Sequence, residues 1–180
     1  MERFKKIGIA CILVAVFLLV GLNMYLNGVF LPKWITWEEK IDRGDFNSDG
    51  FNDSVQLENK RVFLLREGAV VDQTPREWQI SNYEIADIDK DGQEEIILLL
   101  WKRGEDSEQA SSLNTLEFSQ HVFIYNVGDR ELTPKWMSSK LEKNIKNWSV
   151  DEDGVIHTVS DDDNKQSWYW KGSGLESVEE

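Results

Sequence analysis

Ile85 to Trp101 reads I-A-D-I-D-K-D-G-Q-E-E-I-I-L-L-L-W. Five carboxylates and one glycine fall in its first eleven residues, and Ile96 to Trp101 then runs six residues without a charge. Closely alternating carboxylates make a cluster of hard oxygen ligands. A short, continuous apolar run is what a strand buried on both faces requires. An oxygen-rich loop therefore leads directly into a central strand. The same order occurs 42 residues earlier, where Gly44 to Leu57 reads G-D-F-N-S-D-G-F-N-D-S-V-Q-L. Two copies at a fixed interval point to a repeat architecture.

Each copy offers oxygen ligands at matching positions. In the first these are Asp45, Asn47, Asp49 and Asp53, with the backbone carbonyl of Phe51; in the second they are Asp87, Asp89, Asp91 and Glu95, with that of Gln93. Gly50 and Gly92 occupy the sixth position, where the chain must bend sharply to keep the ligands converging. An EF-hand would need a bidentate Glu at its twelfth position; Gln56 and Leu98 stand there. Each loop closes instead at its ninth position, on Asp53 or Glu95. Three carboxylates and an Asn make the first loop the weaker candidate, and four carboxylates make the second the stronger. The alternative for both is a solvated acidic turn.

The pattern D-x-[DN]-x-D-G-x-x-[DE] between strands resembles the FG-GAP or VCBS-type repeat, which binds calcium within β-propeller blades. The resemblance covers Gly44 to Trp101. It implies an all-β fold, a small or incomplete β-propeller-like array of about three antiparallel blades, and structural Ca2+ in both loops. Full rings typically need four to eight blades, more than this length provides at 42 residues each. A third stretch, W-S-V-D-E-D-G-V-I-H from Trp148, puts Ser149 and His157 in ligand positions and reads as a plain Asp-Gly hairpin turn.

Outward from the loops, period-two alternation and turn residues predict strands over 54–58, 61–66, 69–72, 78–86, 95–101, 120–127, 132–137, 144–150, 155–159 and 166–171. Trp34 and Trp37 suit either a membrane interface or a first strand. Ser138 to Lys146 has room for one or two helical turns. Lys102 to Ser119 lacks a period and reads as a surface insertion or a binding loop. Residues 173–180 read as a flexible tail.

Ile7 to Leu26 is uncharged for 20 residues, enough for about 30 Å of helix and so for one bilayer crossing. Arg3, Lys5 and Lys6 precede it, which places residues 1–6 in the cytoplasm. The division expected is a cytoplasmic end (1–6), a signal-anchor helix (7–26), a linker (27–33), an extracytoplasmic β domain (34–172) and the tail. Cleavage as a signal sequence, giving a secreted domain, is the alternative. Cys11, the one cysteine, lies inside the apolar run, so no disulfide framework exists.

From Ile7 onward the chain has 17 basic and 32 acidic residues, a balance that repels nucleic acid. No nucleotide loop, zinc spacing or G-x-S-x-G elbow is present. Ser119 and His121 share a strand face without a visible third partner and read as ordinary strand residues. Most of the eight tryptophans are assigned to the core. These readings lead to a membrane-anchored, calcium-binding module that binds or scaffolds at the cell surface, with a cell-surface protein or wall polymer as partner. An envelope enzyme acting on wall polymer and a sensor with a membrane partner are the alternatives. No catalytic residue is assigned.

Overall fold

A computed structural model describes residues 2–104 and 117–178. The chain divides into two units, Met1–Lys33 and Trp34–Glu180. The first is one helix, α1 (Glu2–Leu26). Its segment Ile7–Leu26 has a mean hydropathy of 2.7 and none of it is buried, so by length and composition it can cross a membrane or serve as a signal sequence. Gly28, at φ 67°, ends it. Gly28 N–H donates to Tyr25 O and Val29 N–H to Met24 O, both at 3.0 Å, which satisfies carbonyls the helix end would leave bare.

The second unit is all-β. Its strands are β1 (Lys40–Gly44), β2 (Asp53–Glu58), β3 (Arg61–Arg66), β4 (Ala69–Gln73), β5 (Gln79–Ala86), β6 (Glu95–Arg103), β7 (Phe118–Val127), β8 (Leu132–Met137), β9 (Ile145–Val150), β10 (Ile156–Ser160), β11 (Lys165–Trp170) and β12 (Leu175–Val178). They form three four-stranded antiparallel sheets, each a simple meander of consecutive strands. All ten strands expected from the sequence are present, and β1 and β12 are additional. Residues 175–178 are therefore not a loose tail: they pair with β11, from Trp170↔Leu175 to Ser167↔Val178. The sequence concealed this because G-S-G-L-E-S-V has only one strong apolar residue on each side of its alternation.

The middle sheet is buried on both faces. One face of β6 and β7 (Ile96, Leu98, Leu100, Phe123, Tyr125) packs with Val55, Leu57, Val62 and Leu64 of the first sheet. The opposite face (Ile97, Leu99, Val122, Ile124) packs with Ile145, Ile156 and the tryptophans Trp148, Trp168 and Trp170 around the third. This two-sided burial is why the Ile96–Trp101 run has no polar alternation. Polar staples cross both interfaces: Tyr83 Oη–H donates to Val55 O at 2.7 Å, and Gln120 exchanges hydrogen bonds with the Ile145 backbone at 2.9 and 2.5 Å.

Three local expectations change. Trp34 and Trp37 precede β1 rather than forming a strand; the Trp34 ring lies 6.2 Å from that of Trp101, and Lys60 Nζ sits 4.0 Å over the Trp37 ring. Ser138 to Asn144 contains no helix; Ser138 and Leu141 instead donate backbone N–H groups to Val122 O and Gln120 O, both at 3.0 Å. The supposed loop from Lys102 to Ser119 is shorter, because Lys102↔Ser119 and Arg103↔Phe118 extend the β6–β7 ladder. Its remainder, 105–116, lies outside the described residues.

Candidate metal loops and their internal cations

The two acidic loops adopt one backbone conformation. Ser48 and Lys90 take φ 58° and 61°, and Gly50 and Gly92 take φ 87° and 92°, a left-handed step that glycine makes without strain. The first-position carboxylate organises each turn. Asp45 accepts from the N–H groups of Asp49 and Gly50, both at 2.9 Å; Asp87 accepts from those of Asp91 and Gly92 at 3.1 and 3.0 Å. Asp49 and Asp91 in turn accept from Phe51 N–H and Gln93 N–H, each at 2.8 Å. The second-position residues, Phe46 and Ile88, are buried and enter the first and second hydrophobic clusters respectively. The loops touch through Glu94 N–H, which donates to Phe46 O at 3.0 Å.

They differ in how their charge is met. At the first loop the Arg66 guanidinium spans two carboxylates: Nε donates to Asp53 Oδ1 at 2.7 Å, and Nη2 to Asp53 Oδ2 at 2.8 Å and Asp49 Oδ2 at 2.7 Å. Direct pairing of Asp53 with Arg66 in the β2–β3 ladder aims this fork. Hydrogen bonding to Asp53 holds Arg66 above its ordinary pKa. The Phe51 N–H, and then Asn47 and Arg66, hold Asp49 below its own, against the opposing effect of desolvation. Asn47 is turned aside, its Nδ2–H donating to Asp49 Oδ2 at 3.0 Å.

At the second loop, oxygens of Asp87, Asp89 and Glu95 lie within 4.8 Å of one another, the one such group among the described residues. Asp91 is outside this trio. The internal cation here is Lys135 of β8, whose Nζ stands 2.5 Å from Asp89 Oδ2 and 2.7 Å from Glu95 Oε1. Glu95 is 1 % exposed, and its Oε2 accepts from Ile88 N–H at 3.1 Å. Burial pushes the Glu95 carboxyl up, opposed by Lys135 and the Ile88 N–H. Burial works to lower Lys135, but Asp89 and Glu95 outweigh it and hold the ammonium above its ordinary value. Asp89 Oδ1 is buried and has no hydrogen-bond donor, an acceptor left over once Lys135 is counted.

Arg66 could have been found in the sequence, since counting outward from the Glu58–Arg61 end of the hairpin places it opposite Asp53. Lys135 could not, because it reaches Glu95 across an intervening strand, beside a register shift at Ile124/Tyr125.

The two histidines have different surroundings. His121 is 1 % exposed, with Ser119 Oγ 2.9 Å from Nε2 and Ser138 O 3.2 Å from Nδ1; it is a core residue out of reach of solvent. His157 lies half-exposed on the outer face of the third sheet, between Asp151 and Ser167. Comparison with known proteins found no matching family model, no matching curated protein and no matching solved structure.

Proposed function

We propose that this chain is a membrane-tethered extracytoplasmic binding or scaffolding module of the FG-GAP/VCBS type, with a structural calcium ion held at the second loop. The observation that carries this reading is the convergence of Asp87, Asp89 and Glu95 within 4.8 Å at matching positions of a loop that occurs twice. The donors are all hard oxygens, which suit calcium or magnesium rather than a soft transition metal. The unpartnered Asp89 Oδ1 adds an acceptor that a cation would satisfy. Three four-stranded meanders agree with a blade-like array of three units. The hydropathy of Ile7–Leu26 and the basic residues before it support a tether with the β unit outside.

Calcium would displace the Lys135 ammonium from Asp89 and Glu95, so binding is an exchange of one cation for another. Titration of the full chain in detergent micelles, by calorimetry and by thermal unfolding, tests the reading. Saturating calcium raises Tm by several degrees, since a ligand at a hundred times its Kd adds about 2.7 kcal/mol to the folded state. Asp89→Ala removes the effect. No binding heat together with an unchanged Tm defeats the calcium reading.

A further inference from the structure

The outer face of the third sheet carries an acid, an imidazole and a hydroxyl in line. Asp151 Oδ2 lies 3.0 Å from His157 Nε2, and His157 Nδ1 lies 2.9 Å from Ser167 Oγ. We propose that Ser167, His157 and Asp151 form an acyl-transfer site for short-chain carboxylic esters.

Three elements build it. Ser149, His157 and Ser167 form one cross-strand row over β9, β10 and β11, so their side chains emerge on the same face. Asp151 follows β9 in the turn, where its Oδ1 accepts from Asp153 N–H at 3.0 Å and Val155 N–H at 2.9 Å. Its other oxygen is thereby fixed toward His157. An ionised carboxylate only accepts hydrogen bonds, so Nε2 carries the imidazole proton and Nδ1 is left as the base facing Ser167. His157, first among its partners, holds Asp151 below the ordinary carboxylate pKa. This is the acid–base–nucleophile order of a hydrolytic triad, with the two imidazole nitrogens exchanged.

Ser167 is 9 % exposed, yet it lines a groove of about 280 Å³ together with His157. That space suits a small acyl group. Asn147, Val159 and Lys165 form the next row of the same face, about 7 Å along the strands. Asn147 Oδ1 accepts from Trp148 N–H at 2.9 Å, which leaves its Nδ2 as a donor; with Lys165 it lines the same groove.

In the reaction, Ser167 Oγ attacks the ester carbonyl as its proton passes to His157 Nδ1. The C–O bond to the leaving alcohol breaks, and the alcohol departs with that proton. Water, deprotonated by the same nitrogen, then releases the carboxylic acid and returns the hydroxyl to Ser167.

The test uses the full chain in detergent with two probes, an alkyl fluorophosphonate and p-nitrophenyl acetate, followed by peptide mass mapping. The expected result is one fluorophosphonate adduct per chain on Ser167, and p-nitrophenyl acetate turnover that is lost in Ser167→Ala. His157→Gln slows labelling at least tenfold. Asp151→Asn slows it at unchanged Tm and Asp151→Glu restores part of the rate, which a purely structural turn residue would not do. An adduct on Ser149 or elsewhere, or labelling at Ser167 that is indifferent to His157→Gln in a folded variant, overturns the assignment. So does no adduct at all on wild-type chain with a cooperative melt. Should Ser167→Ala fail to fold, Ser167→Cys in a Cys11→Ser background, alkylated by iodoacetamide with and without His157, decides the same point.

Discussion

The two acidic loops share a backbone but not a counter-charge. Each has a first-position Asp accepting two N–H groups, a left-handed glycine and a buried second residue, Phe46 or Ile88. Yet Arg66 locks the first loop through a two-pronged fork to Asp53, while Lys135 meets the second with a single ammonium. A planar guanidinium matched to a carboxylate is pre-organised, whereas an ammonium on a flexible stem is a point charge. Loop geometry alone thus does not fix ionic behaviour. The neighbouring strand decides which cation meets the loop and how rigidly.

The most disruptive way to test this contrast is Arg66→Ala. It strands the Asp53 carboxylate, which is 1 % exposed, and Tm should fall by about 10 °C or more. Calcium should then recover part of the loss, because the first loop regains an unmet charge. A fall of under about 2 °C would show that the guanidinium is not what balances this loop.

Lys135→Met should cost less, about 2–3 kcal/mol without calcium, because it removes two charged contacts where Arg66 makes three, and burial already favours the protonated form of Glu95. It should tighten calcium binding about tenfold by removing the competitor. The raised pKa of Lys135 has a defined sign. Its contribution is fully present below the ordinary value of 10.5 and is lost as pH rises through the higher folded value. Urea midpoints of the wild type should therefore fall above that ordinary value, and those of Lys135→Met should fall less. Equal alkaline losses in both proteins would remove Lys135 from the account.

The smallest effects sharpen the likeness rather than the difference. A Cβ at Gly50 or Gly92 meets nothing within 4 Å, so an alanine there probes only backbone strain. Each substitution should cost about 1–2 kcal/mol, equally at the two sites. A clear inequality in chemical denaturation would show that the loops are not held in the same conformation.

Much of this was legible along the chain. Alternation and turn residues located ten of the twelve strands, and the uncharged Ile96–Trp101 run announced burial on both faces. The acidic loops and their glycines were equally plain. Arg66 was within reach of hairpin counting, as was Ser167 opposite His157, since D-D-D-N closes the β10–β11 hairpin. Lys135 and the pairing of residues 175–178 were not, because a register shift and a weakly apolar edge strand leave little trace in composition.

Neighbouring residues dictated an apolar helix, the strand periods, and two loops whose left-handed glycines bend the chain around a first-position carboxylate. Tertiary packing brought Lys135 to Asp89 and Glu95 and turned Asp151 toward His157. Ladder register and sheet packing bring such groups together across many residues, and a shift of one residue would turn each side chain to the opposite face.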